Sequence, residues 1–121
     1  MMYKIKNFIN GSIVSSSDQF LSIDDPSKGE IIREVVLSNQ VDLEDAVNSS
    51  KKAFNEWSLV TPLKRSRILS KFKELIEKDI DNLAKIVSEE HGKTLEDSKG
   101  SVTRGLEVVE FASGIPHLLK G

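Results

Sequence analysis

The apolar positions of this chain change their period near residue 38. Up to Leu37 they fall in short runs separated by turn residues, and from Asn39 onward they recur every three or four residues; these are the spacings of strands and of amphipathic helices. Strands followed by helices, rather than the two in alternation, predict an α+β arrangement, with 1–37 as strands and 39–121 as about four helices. Lys6 to Ile9 and Ser12 to Ser15 flank Asn10-Gly11, a pair suited to a type I′ hairpin turn because both central positions need positive φ. Two further short strands are expected. Phe20-Leu21-Ser22-Ile23 leads into Asp24-Asp25-Pro26, and Ser27-Lys28-Gly29 turns the chain into the β-rich run Glu30 to Leu37.

Asn39 caps the first helix, with Asp42 three positions later as the acidic form of a capping box. Leu43, Val47, Ser50, Phe54 and Trp57 then share a face, which predicts its burial, with Trp57 as a core anchor rather than a ligand-stacking ring. Thr61-Pro62 opens a second helix, whose inner stripe is Ile68, Leu69, Phe72, Leu75 and Ile76. Its Lys64, Arg67 and Lys71 are interrupted by Glu74 and Glu77, so they form a solvated face rather than an anion site. The third helix spans about Ile80 to His91, with Leu83, Ile86 and Val87 inward and Gly92 as a left-handed stop. Short connections imply antiparallel neighbours. Thr94 caps the last helix. At about 100° per residue, Val102, Leu106 and Val109 line one side, while Val108, Phe111, Ile115 and Leu118 line the other. A helix apolar on two sides is sandwiched, and three helices and two small β units leave little to cover the second side. Its cover is expected in further chain or in a partner.

Composition narrows the function classes. Within 121 residues there is room for one domain, and 38% apolar with 6% aromatic residues is lean for a free-standing globule. Seventeen Lys and Arg against nineteen Asp and Glu leave a net charge of -2, which argues against nucleic acid as a partner. Charged residues interrupt the opening Met1-Met2-Tyr3-Lys4-Ile5-Lys6, and no apolar run approaches the roughly 20 residues that span a bilayer. The expectation is a soluble, cytoplasmic protein with no membrane partner. Cysteine is absent, so disulfides, thiolate ligands and thiol nucleophiles cannot come from these residues.

Three candidates for chemistry remain. Gly100-Ser101-Val102-Thr103-Arg104-Gly105 lacks the preceding strand and following Lys-Ser or Lys-Thr of a phosphate loop. Its glycines read instead as room for another backbone to approach the helix. His91 and His117 stand far apart without metal-site spacing, and His91 is placed as a helix-terminal residue. Arg104 differs from both because it falls on the wheel with Val108, Phe111 and Ile115. A cation on an apolar stripe needs a partner. Glu107 is the local candidate, though it points about 60° away. A buried structural ion pair and an anion-binding arginine facing a substrate carboxylate are both open.

Several segments, in order, resemble the amino-terminal region of the aldehyde dehydrogenase superfamily over essentially the whole chain. They are Phe8-Ile9-Asn10-Gly11, Asp25-Pro26-Ser27-Lys28-Gly29-Glu30, Ala53-Phe54-Asn55-Glu56-Trp57 and Glu90-His91-Gly92-Lys93-Thr94. The stretch from Val102 to Ala112 is similar to the methylmalonate-semialdehyde dehydrogenases, which acylate coenzyme A. Departures are Asp25, where that family usually has Asn, and His91, where Gln or Asn is common.

The resemblance implies that Arg104 holds the carboxylate of the semialdehyde, for which a bidentate guanidinium is well suited. It implies that the chain is the amino-terminal part of a coenzyme-binding domain within a larger α/β fold. It further implies a cysteine thiolate attacking the aldehyde, hydride transfer to NAD and acyl transfer to coenzyme A with loss of carbon dioxide. The nucleophile, the oxyanion-hole asparagine and the dinucleotide-binding units normally follow this region. No catalytic, cofactor-binding or metal residue is therefore assigned here, and the chain alone is expected to be inactive and to bind neither NAD nor coenzyme A. Its expected partners are the remainder of the enzyme chain and, at full length, further copies in a homo-oligomer, a tetramer. The alternative is a free-standing, non-catalytic interaction module.

Overall fold

A computed structural model describes residues 3–120. Met1, Met2 and Gly121, which complete the expected strand and helix regions, lie outside them. The element order is strands first and helices after, as the change of period predicts. The chain divides into two compact units, Met1–Leu59 and Val60–Gly121.

In the first unit, β1 (Tyr3–Ile5), β4 (Phe20–Asp25) and β5 (Glu30–Val36) form one sheet in the order β1-β5-β4, and β2 (Asn7–Ile9) pairs with β3 (Ser12–Val14) in a separate hairpin. Asn10 and Gly11 have φ of 52° and 75°, as the expected type I′ turn requires. The strand pair β4 and β5 is antiparallel with a register irregularity between Ile23 and Asp24. The strand β1 was not expected. It is three residues long and pairs in parallel with distant β5, Tyr3 opposite Arg33, so no local turn or alternation announces it. Val36 on the central strand is buried.

The helix α1 (Gln40–Trp57) begins with the predicted capping box: the Asp42 amide donates to Asn39 Oδ1 at 3.1 Å, and the Asn39 amide donates to Asp42 Oδ2 at 3.0 Å. The expected burial of its apolar face is not observed. Leu43, Val47 and Phe54 are exposed, and Trp57 is 42% exposed rather than a core anchor. Within its unit α1 packs against β2, and only Asp42, Ala46 and Ser49 along the helix are buried or half-buried. A short hairpin covers the side of a helix near its start and leaves the rest bare.

In the second unit, α4 (Leu95–Ser113) packs against both α2 (Pro62–Lys78) and α3 (Ile80–His91). Thr61 caps α2 with Pro62 in its first turn, Gly92 ends α3 with φ of 69°, and the Asp97 amide donates to Thr94 Oγ1 at 3.2 Å, all as predicted. The inner stripe of α2 is narrower than expected. Ser66, Leu69, Lys73 and Ile76 are half-buried, whereas Ile68, Phe72 and Leu75 are exposed. The buried row is the one that reaches α4: Ser66 Oγ donates to the Ser113 carbonyl, and Lys73 pairs with Glu110 at 2.8 Å. Ala84 and Ser98 are fully buried on α3 and α4; such small side chains allow helices to pack closely.

The two-sided reading of α4 is observed: Val102, Leu106 and Val109 are half-buried, while Val108 and Phe111 are 67% and 68% exposed. The helix does not continue to Leu118, however. It ends at Ser113, and Ile115 and Leu118 belong to a separate short turn, α5 (Ile115–Leu118). Pro116 has no N–H for the carbonyl four residues back, and its ring crowds that carbonyl. No helix among the described residues is long and apolar enough to cross a membrane.

Candidate functional site

The first turns of α4 bring together three polar side chains. Gly92 reverses the chain at the end of α3, and Ser88 Oγ donates to the Lys93 carbonyl at 2.7 Å. That bond fixes the root of the Lys93 side chain just before the Thr94 cap. From there Lys93 Nζ donates to Ser101 Oγ at 2.7 Å. Ser101 sits one and a half turns into α4 and donates to the Asp97 carbonyl at 3.2 Å, a back-bond usual for serine within a helix. Arg104, on the next turn, donates from Nη2 to the same Ser101 Oγ at 3.0 Å.

Arg104 is exposed on the face that carries Val108 and Phe111. No carboxylate pairs with Arg104 or Lys93 among the described residues. Among the described residues, then, Arg104 forms no buried structural ion pair, and Glu107 makes no bond to the guanidinium. Two cations share one hydroxyl, an arrangement that leaves most of the guanidinium donors open to an anion.

Among the described residues, the close backbone approach expected at the glycines flanking Ser101 is not seen. A methyl group at Gly100 would meet only Arg104 Nη1, at 3.7 Å, and one at Gly105 would meet nothing within 4 Å. His91 and His117 are both exposed at helix ends. Lys93 and Ser101 were missed by sequence reasoning. The i,i+3 spacing of Ser101 and Arg104 was a usable signal, but Lys93 lies across a chain reversal from both.

Two buried carboxylates belong to the scaffold. Asp25, the departure from the family pattern, accepts from the Ser27 amide at 2.9 Å, from Ser27 Oγ at 2.6 Å and from Lys28 Nζ at 3.0 Å. The Ser27 hydroxyl, followed by Lys28, holds its pKa down to about 2. Asp42 accepts from the Ser16 amide at 2.7 Å, from Ser16 Oγ at 2.9 Å and from the Asn39 amide, bonds that lower its pKa, the Ser16 amide foremost.

Residues 13–121 match the aldehyde dehydrogenase family. The chain is 39% identical over 120 residues to a malonate-semialdehyde dehydrogenase of Pseudomonas aeruginosa, covering 99% of this chain and 24% of that protein. It is 38% identical to the crystal structure of a methylmalonate-semialdehyde dehydrogenase from Oceanimonas doudoroffii, with a TM-score of 0.95 over 99% of this chain and 25% of that one. A Sinorhizobium meliloti protein described as a methylmalonate-semialdehyde dehydrogenase, solved with NAD, is 43% identical with a TM-score of 0.94 over 98% of this chain and 24% of that one. The chain thus spans about a quarter of the length of these relatives.

Proposed function

The chain belongs to the aldehyde dehydrogenase family, and from that premise we propose that it is the amino-terminal part of an NAD-dependent, coenzyme A-acylating methylmalonate-semialdehyde dehydrogenase. The overall conversion is methylmalonate semialdehyde, NAD and coenzyme A to propionyl-coenzyme A, carbon dioxide and NADH. The aldehyde carbon leaves as the thioester, its hydride goes to NAD, and the carboxylate departs as carbon dioxide. The remainder of the chain supplies the cysteine and the dinucleotide site. This chain has no cysteine and is inactive alone in this reading. At full length the enzyme is a cytoplasmic homo-oligomer, a tetramer.

One observation carries the reading: Arg104 presents a guanidinium held by Ser101 and unpaired with any carboxylate among the described residues. Malonate and methylmalonate semialdehydes share an aldehyde and a carboxylate a fixed distance apart. A guanidinium anchored on the carboxylate positions the aldehyde, which lowers the entropy cost of reaching the reacting geometry. Its planar fork matches both carboxylate oxygens.

The test is made on the full-length enzyme with Arg104→Leu. The kcat/KM for methylmalonate semialdehyde is expected to fall by about a hundredfold, as loss of a charged hydrogen-bonding pair does. That for propionaldehyde, which lacks the carboxylate, is expected to change far less. Equal losses on the two substrates would overturn the carboxylate role.

A further inference from the structure

Ser101 has one proton and two lone pairs to distribute. The proton goes to the Asp97 carbonyl, and the lone pairs take Lys93 Nζ at 2.7 Å and Arg104 Nη2 at 3.0 Å. The hydroxyl is thereby saturated, and the two cations cannot lie farther apart than those two lengths end to end. Like charges this close repel unless an anion joins them. No carboxylate among the described residues does so. Neither cation is free to swing away at its root. The Lys93 backbone is held by Ser88, and Arg104 rises from the middle of α4.

We infer that Ser101 is a positioning residue that aims the Arg104 guanidinium, and that Lys93 supplies a second positive charge to the same substrate carboxylate. The inference rests on the carboxylate role of Arg104 proposed above. With the hydroxyl between them as a spacer, the two carboxylate oxygens take the fork of guanidinium N–H donors, and a remaining lone pair on one of them takes an ammonium proton. Lys suits the second place as a compact point charge on a flexible stem, whereas the planar Arg fixes direction. Ser101 touches no substrate in this arrangement. It converts two mobile side chains into a preorganised pair, so less rotamer freedom is lost when the carboxylate arrives.

The experiment compares Ser101→Ala, Ser101→Thr and Lys93→Met in the full-length enzyme, with Arg104→Leu as reference. The readout is the KM for methylmalonate semialdehyde divided by the KM for propionaldehyde. Ser101→Ala and Lys93→Met are expected to raise this ratio about tenfold, the loss of roughly one charge-assisted hydrogen bond. Ser101→Thr, which keeps the hydroxyl, returns it toward the parent value. A general packing defect moves both KM values together and is not relieved by threonine; that result overturns the inference. An unchanged ratio in Ser101→Ala and Lys93→Met beside a selective loss in Arg104→Leu overturns it while leaving the proposed function standing. No selective loss in Arg104→Leu itself overturns both.

Discussion

Asp25 carries a charge at a turn where the family usually places a neutral amide, and the turn is built to hold that charge. Its carboxylate is buried, bonded twice to Ser27 and once to Lys28. Its carbonyl also accepts from the Lys28 and Gly29 amides. Because the folded pKa is depressed to about 2 from 3.8, the sign of its contribution is set. The stabilisation is fully present above the unfolded value and disappears as pH falls through the folded one. Asp25→Asn keeps one acceptor oxygen for Ser27 and loses the ion pair, so the variant should be less stable than the parent at neutral pH. The gap in urea midpoint should close between about pH 4 and pH 2, and a gap that stays constant across that window would refute the assignment. Arg104 was legible in the sequence for a comparable reason, as a charge standing where periodicity called for an apolar residue. Lys93 and Ser101 were not. Their meeting depends on the left-handed turn at Gly92 and on the Thr94 cap, which bring a residue before the helix over one inside it.

Elements whose signals lie within one turn of chain were readable, and those that depend on distant partners were not. The Asn10-Gly11 hairpin, the Asn39-Asp42 capping box and the Gly92 stop are each specified by adjacent residues, and the structure contains all three. Strand β1 exists through its parallel pairing with β5. The end of α4 was legible in principle from Pro116, whose effect on the preceding turn was outweighed by the apolar spacing that runs on to Ile115 and Leu118. Glycine substitutions separate local from long-range causes. Gly92 has positive φ, so Gly92→Ala should destabilise the chain by about 1 kcal/mol. Gly105 is helical and a methyl group there meets nothing within 4 Å. Gly105→Ala should therefore stabilise this chain by up to about 1 kcal/mol. Urea titrations of the two variants should move in opposite directions. The full-length enzyme provides a further discrimination: a loss of stability there from Gly105→Ala would mean that the rest of the protein packs on this point of α4. Replacing the α1 cap, Asn39→Ala, should cost about 1 kcal/mol by the same measurement.

At the scale of the whole molecule the apolar surface is out of proportion to the core. Val36 and Ala84 are the buried hydrophobic residues among those described, against exposed Ile68, Phe72 and Leu75 on α2 and Val108 and Phe111 on α4. Composition foretold the shortage, and the two-sided wheel of α4 located part of it, but neither identified the bare face of α1 around Phe54 and Trp57. Periodicity reports which face is apolar and not whether anything is present to cover it. The relatives are about four times as long as this chain, and in the proposed function their remaining length is the cover. Fully burying side chains such as Val108 and Phe111 contributes roughly 1.5–3 kcal/mol each. In the 121-residue chain that free energy is available to association with a second copy. Sedimentation of the chain over a range of concentrations should show self-association, and Val108→Glu combined with Phe111→Glu should shift it toward monomer. Introduced into the full-length enzyme, the same pair should impair folding, because the carboxylates must then enter an apolar contact without partners. A parent chain that stays monomeric at all concentrations and unfolds in a single cooperative transition would instead support a free-standing interaction module. Exposed apolar residues on α4 would then be a surface awaiting a separate partner, and the double variant would leave stability unchanged.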